Sequence, residues 1–178
     1  MGLQIVFETH SISEDNEHGI ATGWHDGQLS ERGRILAGEL GVRRRHDGLQ
    51  AVFTSDLGRA VETARIAFGQ TSIPILADWR LRECDYGTLN GQPAADVHRD
   101  RQRYLDTAYP GGESWRQAIV RVGRVLPDLR LCWEGARVLI IGHVATRWAL
   151  DHLLNGVSLE ELIGADFNWR EGWEYQLS

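Results

Sequence analysis

His10 lies shortly after the apolar-rich run 3–7, and His143 shortly after the run 138–141. Ser55, Asp56 and Arg59 follow a third run, 49–54, and Arg82 with Glu83 follows a fourth, 73–76. If these runs are parallel strands, two imidazoles, two guanidinium groups and a carboxylate meet at one end of a sheet. A neutral imidazole nitrogen is nucleophilic near neutral pH, and a covalent intermediate divides one hard step into two easier ones. Guanidinium forks and imidazolium protons suit the peripheral oxygens of a phosphoryl group, which carry the charge at its transition state. A carboxyl group is then needed to protonate the leaving alkoxide and to activate water, and Glu83 is the best placed. The set points to phosphoryl transfer through a phosphohistidine.

The elements that must position these residues alternate along the chain. Strands are expected at 3–7, 49–54, 73–76 and 138–141, with an edge strand at 173–177. Ser30 offers an N-cap for a helix over 31–45. Ser55 or Asp56 offers one for a helix carrying Leu57, Val61, Ala64 and Phe68 at helical spacing. Further helices are expected over 94–105, 114–133 and 145–154, with a break at Pro110, Gly111 and Gly112. This order implies one α/β domain over 1–178, a three-layer αβα sandwich with a mostly parallel central sheet. Ligands in such folds collect beyond the carboxyl ends of the strands.

Net charge is -6, and arginine is the only basic residue apart from histidine. That balance argues against a nucleic-acid partner, whose binding rests on neutralised phosphates, yet a local arginine cluster can still attract a small anion. The run Arg43, Arg44, Arg45 reads as a solvated helix surface. No run has the form of a signal peptide or the length of a membrane span, so a soluble, cytoplasmic protein is expected. Cys84 and Cys132 make neither a disulfide framework nor a metal cluster. No metal or cofactor is expected, and no feature sets the oligomeric state.

The order of the pieces resembles the histidine phosphatase superfamily, the phosphoglycerate mutase-like proteins, over nearly the whole chain. The family's Arg-His-Gly-Glu-Thr appears as Thr9, His10, Ser11, Ile12, Ser13, with Asn16 where the family has a phosphate-pocket asparagine. Thr22, Gly23 and Trp24, then Leu29, Ser30 and Gly33, match its Gly-Trp and Leu-Ser/Thr-x-x-Gly patterns. Residues 54–60 with Thr63 and Ala64 are similar to its Ser-Ser-x-x-x-Arg-Ala-x-x-Thr-Ala signature. Leu81-Arg82-Glu83 with Gly87 and Gly91 looks like its acid-bearing loop, and Pro110-Gly111-Gly112-Glu113-Ser114 and Gly142-His143 complete the series.

The resemblance implies that His10 is the nucleophile, that Arg59 and His143 bind the phosphoryl oxygens and that Glu83 is the proton donor. Asn16, Thr9, Thr22 and Gly23 fall at the substrate, and Arg82 and Arg147 are placed there from their positions beside the motifs. The departures sit around the nucleophile. The family arginine is Thr9, which offers one neutral hydrogen bond, and Arg147 is a candidate substitute. Glu8 stands where the family prefers an apolar residue, and the simpler reading lets it reach solvent past the strand end. The implied activity is a phosphatase acting on a small phosphorylated metabolite. The alternatives are a weakened relative that binds a phosphorylated ligand or partner protein, and a mutase. Segment 91–110 is compact where the resemblance gives mutases longer insertions, which favours the phosphatase.

Overall fold

A computed structural model describes residues 2–178. The chain runs through β1 (Leu3–Thr9), α1 (Glu14–Glu17), β2 (Ile20–Ala21), α2 (Glu31–Arg44), β3 (Ala51–Thr54) and α3 (Gly58–Phe68). It continues with β4 (Ile75–Ala77), β5 (Gln92–Pro93), α4 (Ala94–Arg99), α5 (Trp115–Gly123) and α6 (Leu126–Cys132). β6 (Arg137–Gly142), α7 (Val144–Asn155), α8 (Leu159–Gly164) and β7 (Trp173–Leu177) complete it.

The central sheet has the order β4-β3-β6-β1-β7. β1 and β3 flank β6 in parallel, β4 is parallel to β3, and β7 closes the β1 edge antiparallel. The inner strands are apolar on both faces because both faces are covered. Leu3, Ile5, Phe7, Val138 and Ile140 share one core with Ile119 of α5 and Trp148 of α7. Val6, Val52, Leu139 and Ile141 share the other with Leu40 of α2 and Phe68 of α3. The αβα sandwich is therefore present. Among the described residues, no helix is long and apolar enough to cross a membrane.

Two glycines let the layer over the second core close. A Cβ at Gly33 would fall 1.8 Å from the Ile12 carbonyl oxygen, and one at Gly41 would fall 2.3 Å from that of Ala67. The first contact seats the start of α2 on the loop beyond His10. The second lets α2 pack directly on α3.

Several boundaries differ from the sequence expectation. The helix over 114–133 is two, α5 and α6, because Pro127 has no N–H to continue the first and instead opens the second. The helix over 94–105 shortens to α4 followed by a single 3-10 turn, Arg101–Tyr104. β4 begins after Pro74, two residues later than expected. Neither Ser55 nor Asp56 caps α3, whose N-cap is Leu57 without a side-chain bond. The β2–β5 ribbon and α8 had no clear periodic signal.

The reading of Glu8 and of the arginine run is overturned. Glu8 is 2% exposed. Arg43 Nη2 and Arg44 Nε donate to its Oε1 at 3.1 and 2.9 Å. Of the run, only Arg45 is exposed. A buried carboxylate needs such partners to offset desolvation, and the last turn of α2 supplies them.

Candidate active site

β1 and β6 end side by side, Thr9 opposite Gly142, which brings the two histidines beyond them together. Their ring centroids are 5.0 Å apart and the planes are inclined at 52°. His10 Nδ1 lies 2.7 Å from the Ser11 carbonyl oxygen. A carbonyl only accepts, so Nδ1 carries the proton and Nε2 keeps its lone pair. Arg59, on the first turn of α3, points its Nε at that lone pair from 3.3 Å.

Arg59 also reaches His143 Nδ1 through Nη2 at 3.4 Å. That leaves His143 Nε2 as the donor to Ser55 Oγ, 2.6 Å away. Ser55 thus orients an imidazole rather than capping a helix. Three loop carbonyls hold the guanidinium: Gly23 O at 2.9 Å from Nη2, and His25 O and Asp26 O at 2.7 and 3.2 Å from Nη1. Arg59 is 2% exposed, although helical periodicity alone leaves it in solvent.

Glu83 is buried against the start of α7. Its Oε1 accepts from the Cys84 and Ala145 N–H groups at 2.9 and 3.0 Å, and its Oε2 from the Val144 N–H at 3.3 Å. Glu83, His10, His143, Arg59, Thr9, Asn16, Thr22 and Gly23 all line one cavity of about 810 Å³.

Thr9 is half-buried there. Asn16 Oδ1 also accepts from the Ser13 N–H at 3.0 Å, closing the reciprocal cap of α1. Two candidates are not brought together with the rest. Arg82 makes a forked pair with Asp56, both distances 2.7 Å, and lies over Trp24. Arg147 donates to Asp151 one helical turn away and stacks 4.5 Å above Trp173. It is therefore no substitute for the missing arginine: α7 turns it away from the cavity.

The electrostatics sort the groups by role. Burial, followed by the charge of Arg59, pushes His10 down to about 3 despite its bond to Ser11. Burial, Arg59 and His10 hold His143 well below the usual histidine value. Both rings are neutral at physiological pH, as a nucleophile requires. Burial raises Glu83 above the usual carboxylate value against its three N–H bonds and Arg59. It keeps a proton to higher pH than an exposed glutamate.

The first step of the expected chemistry needs His10 deprotonated and Glu83 protonated. The first condition holds above about pH 3, and the second is lost as pH rises through the raised Glu83 value. We expect kcat/KM on an alkyl monoester, corrected for the ester's own ionisation near pH ~6, to fall on the alkaline side. Glu83→Gln should lower the rate and erase that limb. An unchanged profile would remove Glu83 from proton transfer.

Arg121 has no counterpart in the sequence expectation. It is 5% exposed and forks onto Glu113 at 2.7 and 2.8 Å. It also donates to the carbonyls of Arg80, Arg82 and Glu83 at 2.8 to 3.0 Å. With Trp24 Nε1, which donates to Glu83 O at 2.7 Å, it fixes the backbone that presents the acid. Its place beside the apolar stripe of α5 was the available signal. Arg121→Met should lower stability by roughly 3–5 kcal/mol, since it strands a largely buried carboxylate and the carbonyls of Arg80 and Arg82. Urea unfolding checks this, and a loss under 1 kcal/mol would contradict it.

A family model of the histidine phosphatase superfamily (branch 1) matches residues 5–168. The chain belongs to the histidine phosphatase superfamily. Membership makes it one of a group of phosphoryl-transfer proteins that includes phosphatases and mutases.

Among its superfamily relatives, the 2,3-bisphosphoglycerate-dependent phosphoglycerate mutase of Mesorhizobium japonicum is 34% identical, with 100% of this chain and 94% of that one covered. The protein of the same name from Methylobacterium sp. (strain 4-46) is 34% identical over 91% of this chain and 85% of its own. Among solved structures, Bacillus stearothermophilus YhfR superposes with a TM-score of 0.85 at 26% identity, covering 97% of this chain and 90% of that one. A mycobacterial glucosyl-3-phosphoglycerate phosphatase in complex with VO3 gives 0.80 at 24% identity, covering 92% and 87%, a likeness of fold. The alignment with the Mesorhizobium protein runs over 194 positions against the 178 residues of this chain, so that mutase-named relative carries residues within the match that this chain lacks.

Proposed function

We propose that this protein is a metal-independent phosphatase that hydrolyses a small phosphate monoester through a phosphohistidine on His10. The observation that carries the reading is the His10–Arg59–His143 cluster, in which the two ring centroids are 5.0 Å apart and the lone pair of His10 Nε2 meets Arg59 Nε at 3.3 Å.

The lone pair of His10 Nε2 attacks phosphorus, forming the N–P bond as the P–O bond to the alcohol breaks. Glu83 gives its proton to the departing oxygen. Arg59 faces the phosphoryl oxygens, where a pre-set donor favours the charge-spread transition state, and His143, whose N–H is held by Ser55, flanks them. Water then attacks phosphorus and passes a proton to the Glu83 carboxylate. The N–P bond breaks, His10 recovers its lone pair, and phosphate leaves. Thr9 lines the cavity with a neutral hydroxyl where the superfamily pattern has an arginine.

Two other readings each rest on one observation. The curated relatives carry mutase names, and Thr9 favours a weakened relative that only binds a phosphorylated ligand. Purified protein incubated with a panel of labelled monoesters, including 3-phosphoglycerate, distinguishes them. The expected result is free inorganic phosphate with acid-labile label trapped on His10. Label moved to a second hydroxyl of the same sugar acid would establish the mutase, and neither product nor label would leave the binder.

A further inference from the structure

The same cavity carries an apolar, largely aromatic wall. Ile20, Tyr86, Trp115, Trp148, Phe167 and Trp169 line it. Trp115 and Trp148 pack with ring centroids 4.4 Å apart, a rigid floor built from α5 and α7. Phe167 and Trp169, 37% and 60% exposed, stand on the loop between α8 and β7. Burial holds the Tyr86 phenol protonated, its pKa well above the usual value, so that residue brings no charge.

The charged groups are mostly committed elsewhere. Arg43 is engaged with Glu8. Arg101 donates to the carbonyls of Ile163 and Ala165 while lying 5.8 Å from the Trp148 ring. Arg32 is exposed on the first turn of α2, and Arg59 belongs to the phosphoryl end. Among the lining carboxylates Glu8 is already held by Arg43 and Arg44, which leaves Glu17, Glu39 and Glu171 as the acidic groups besides Glu83. A second anionic group on the substrate would meet carboxylates and aromatic faces. An uncharged apolar group would instead leave water for a surface of matching character.

We infer that the wall receives the alcohol portion of the substrate, and that the favoured ester is a monophosphate of an aromatic or aliphatic alcohol with no second anionic group. The inference rests on the phosphatase reading for its chemistry, and on the wall alone for its selectivity.

Benzyl phosphate, glycerol 3-phosphate and 3-phosphoglycerate have unactivated alcohol leaving groups, so their kcat/KM values compare the wall more than leaving ability. Benzyl phosphate should exceed 3-phosphoglycerate by roughly tenfold or more, the scale of hydrophobic-pocket discrimination. The double variant Phe167→Ala, Trp169→Ala alters exposed loop positions. It should lower the benzyl phosphate value severalfold and leave glycerol 3-phosphate within about twofold.

Preference for 3-phosphoglycerate, or an equal loss on all three esters, would overturn the inference while leaving phosphatase activity standing. If no ester is hydrolysed, the phosphatase reading has failed, and selectivity is read by binding. Benzylphosphonate should then quench tryptophan fluorescence at concentrations at least about tenfold lower than 3-phosphonopropionate. Equal or reversed affinities would overturn it.

Discussion

His10→Ala is expected to lower kcat by roughly five to six orders of magnitude, the scale seen when a covalent nucleophile is removed. Acid-labile phosphate on the protein should disappear with it. The fold should survive, because the ring's hydrogen bonds are confined to the Ser11 carbonyl and Arg59. Single-turnover kinetics with circular dichroism as the control decide the matter. Retention of more than about 1% of activity, with label still trapped, would be far outside that scale and would move the nucleophile elsewhere, His143 being the nearest alternative. That outcome is disfavoured by geometry: the His143 side chain accepts from the Thr146 N–H in the cap of α7, and its Nε2 is held by Ser55.

Arg59→Met should lower kcat by about three to four orders, since one lost transition-state donor commonly costs two to three and a guanidinium presents more than one. Two further readouts separate an electrostatic role from a merely structural one. Arg59 is the second-largest cause of the depressed His10 pKa, so NMR titration of the variant should find His10 protonating above about 3. Arg59→Lys should keep much of that depression but recover little rate, because an ammonium cannot reproduce the fork. If both variants titrate like the parent, the charge of Arg59 does not act on the nucleophile. Stability should fall too, as the carbonyls of Gly23 and His25 lose their donor.

Much of this arrangement is legible in the sequence because covered parallel strands must be apolar on both faces. Residues 3–7 and 138–141 announce themselves in that way, and the side chains just beyond each strand are then held at one end of the sheet. The signature around Arg59 and the acid loop add distance information that periodicity lacks. The hidden part depends on partners remote in sequence. Glu8 cannot show whether it reaches water until the last turn of α2 is known to lie across it. Arg147 looks equivalent to any residue near the His143 motif, but the turn of α7 decides its direction. Ser55 is a plausible cap by type, and only the neighbouring β6 end shows that it holds an imidazole instead. Pro127 was visible as a helix breaker, and strong apolar spacing on either side masked it.

α7 carries His143 at its N-cap, gives its first two N–H groups to Glu83, and one turn later places Trp148 in the aromatic floor. A single rod therefore links His143, the proposed acid and the inferred selectivity surface. Efforts to broaden substrate scope by laboratory evolution should find positions on this helix unforgiving, because any tilt that enlarges the floor also displaces the reacting groups. Diversity is better introduced at Phe167 and Trp169, whose loop can be remodelled without dragging the catalytic end along.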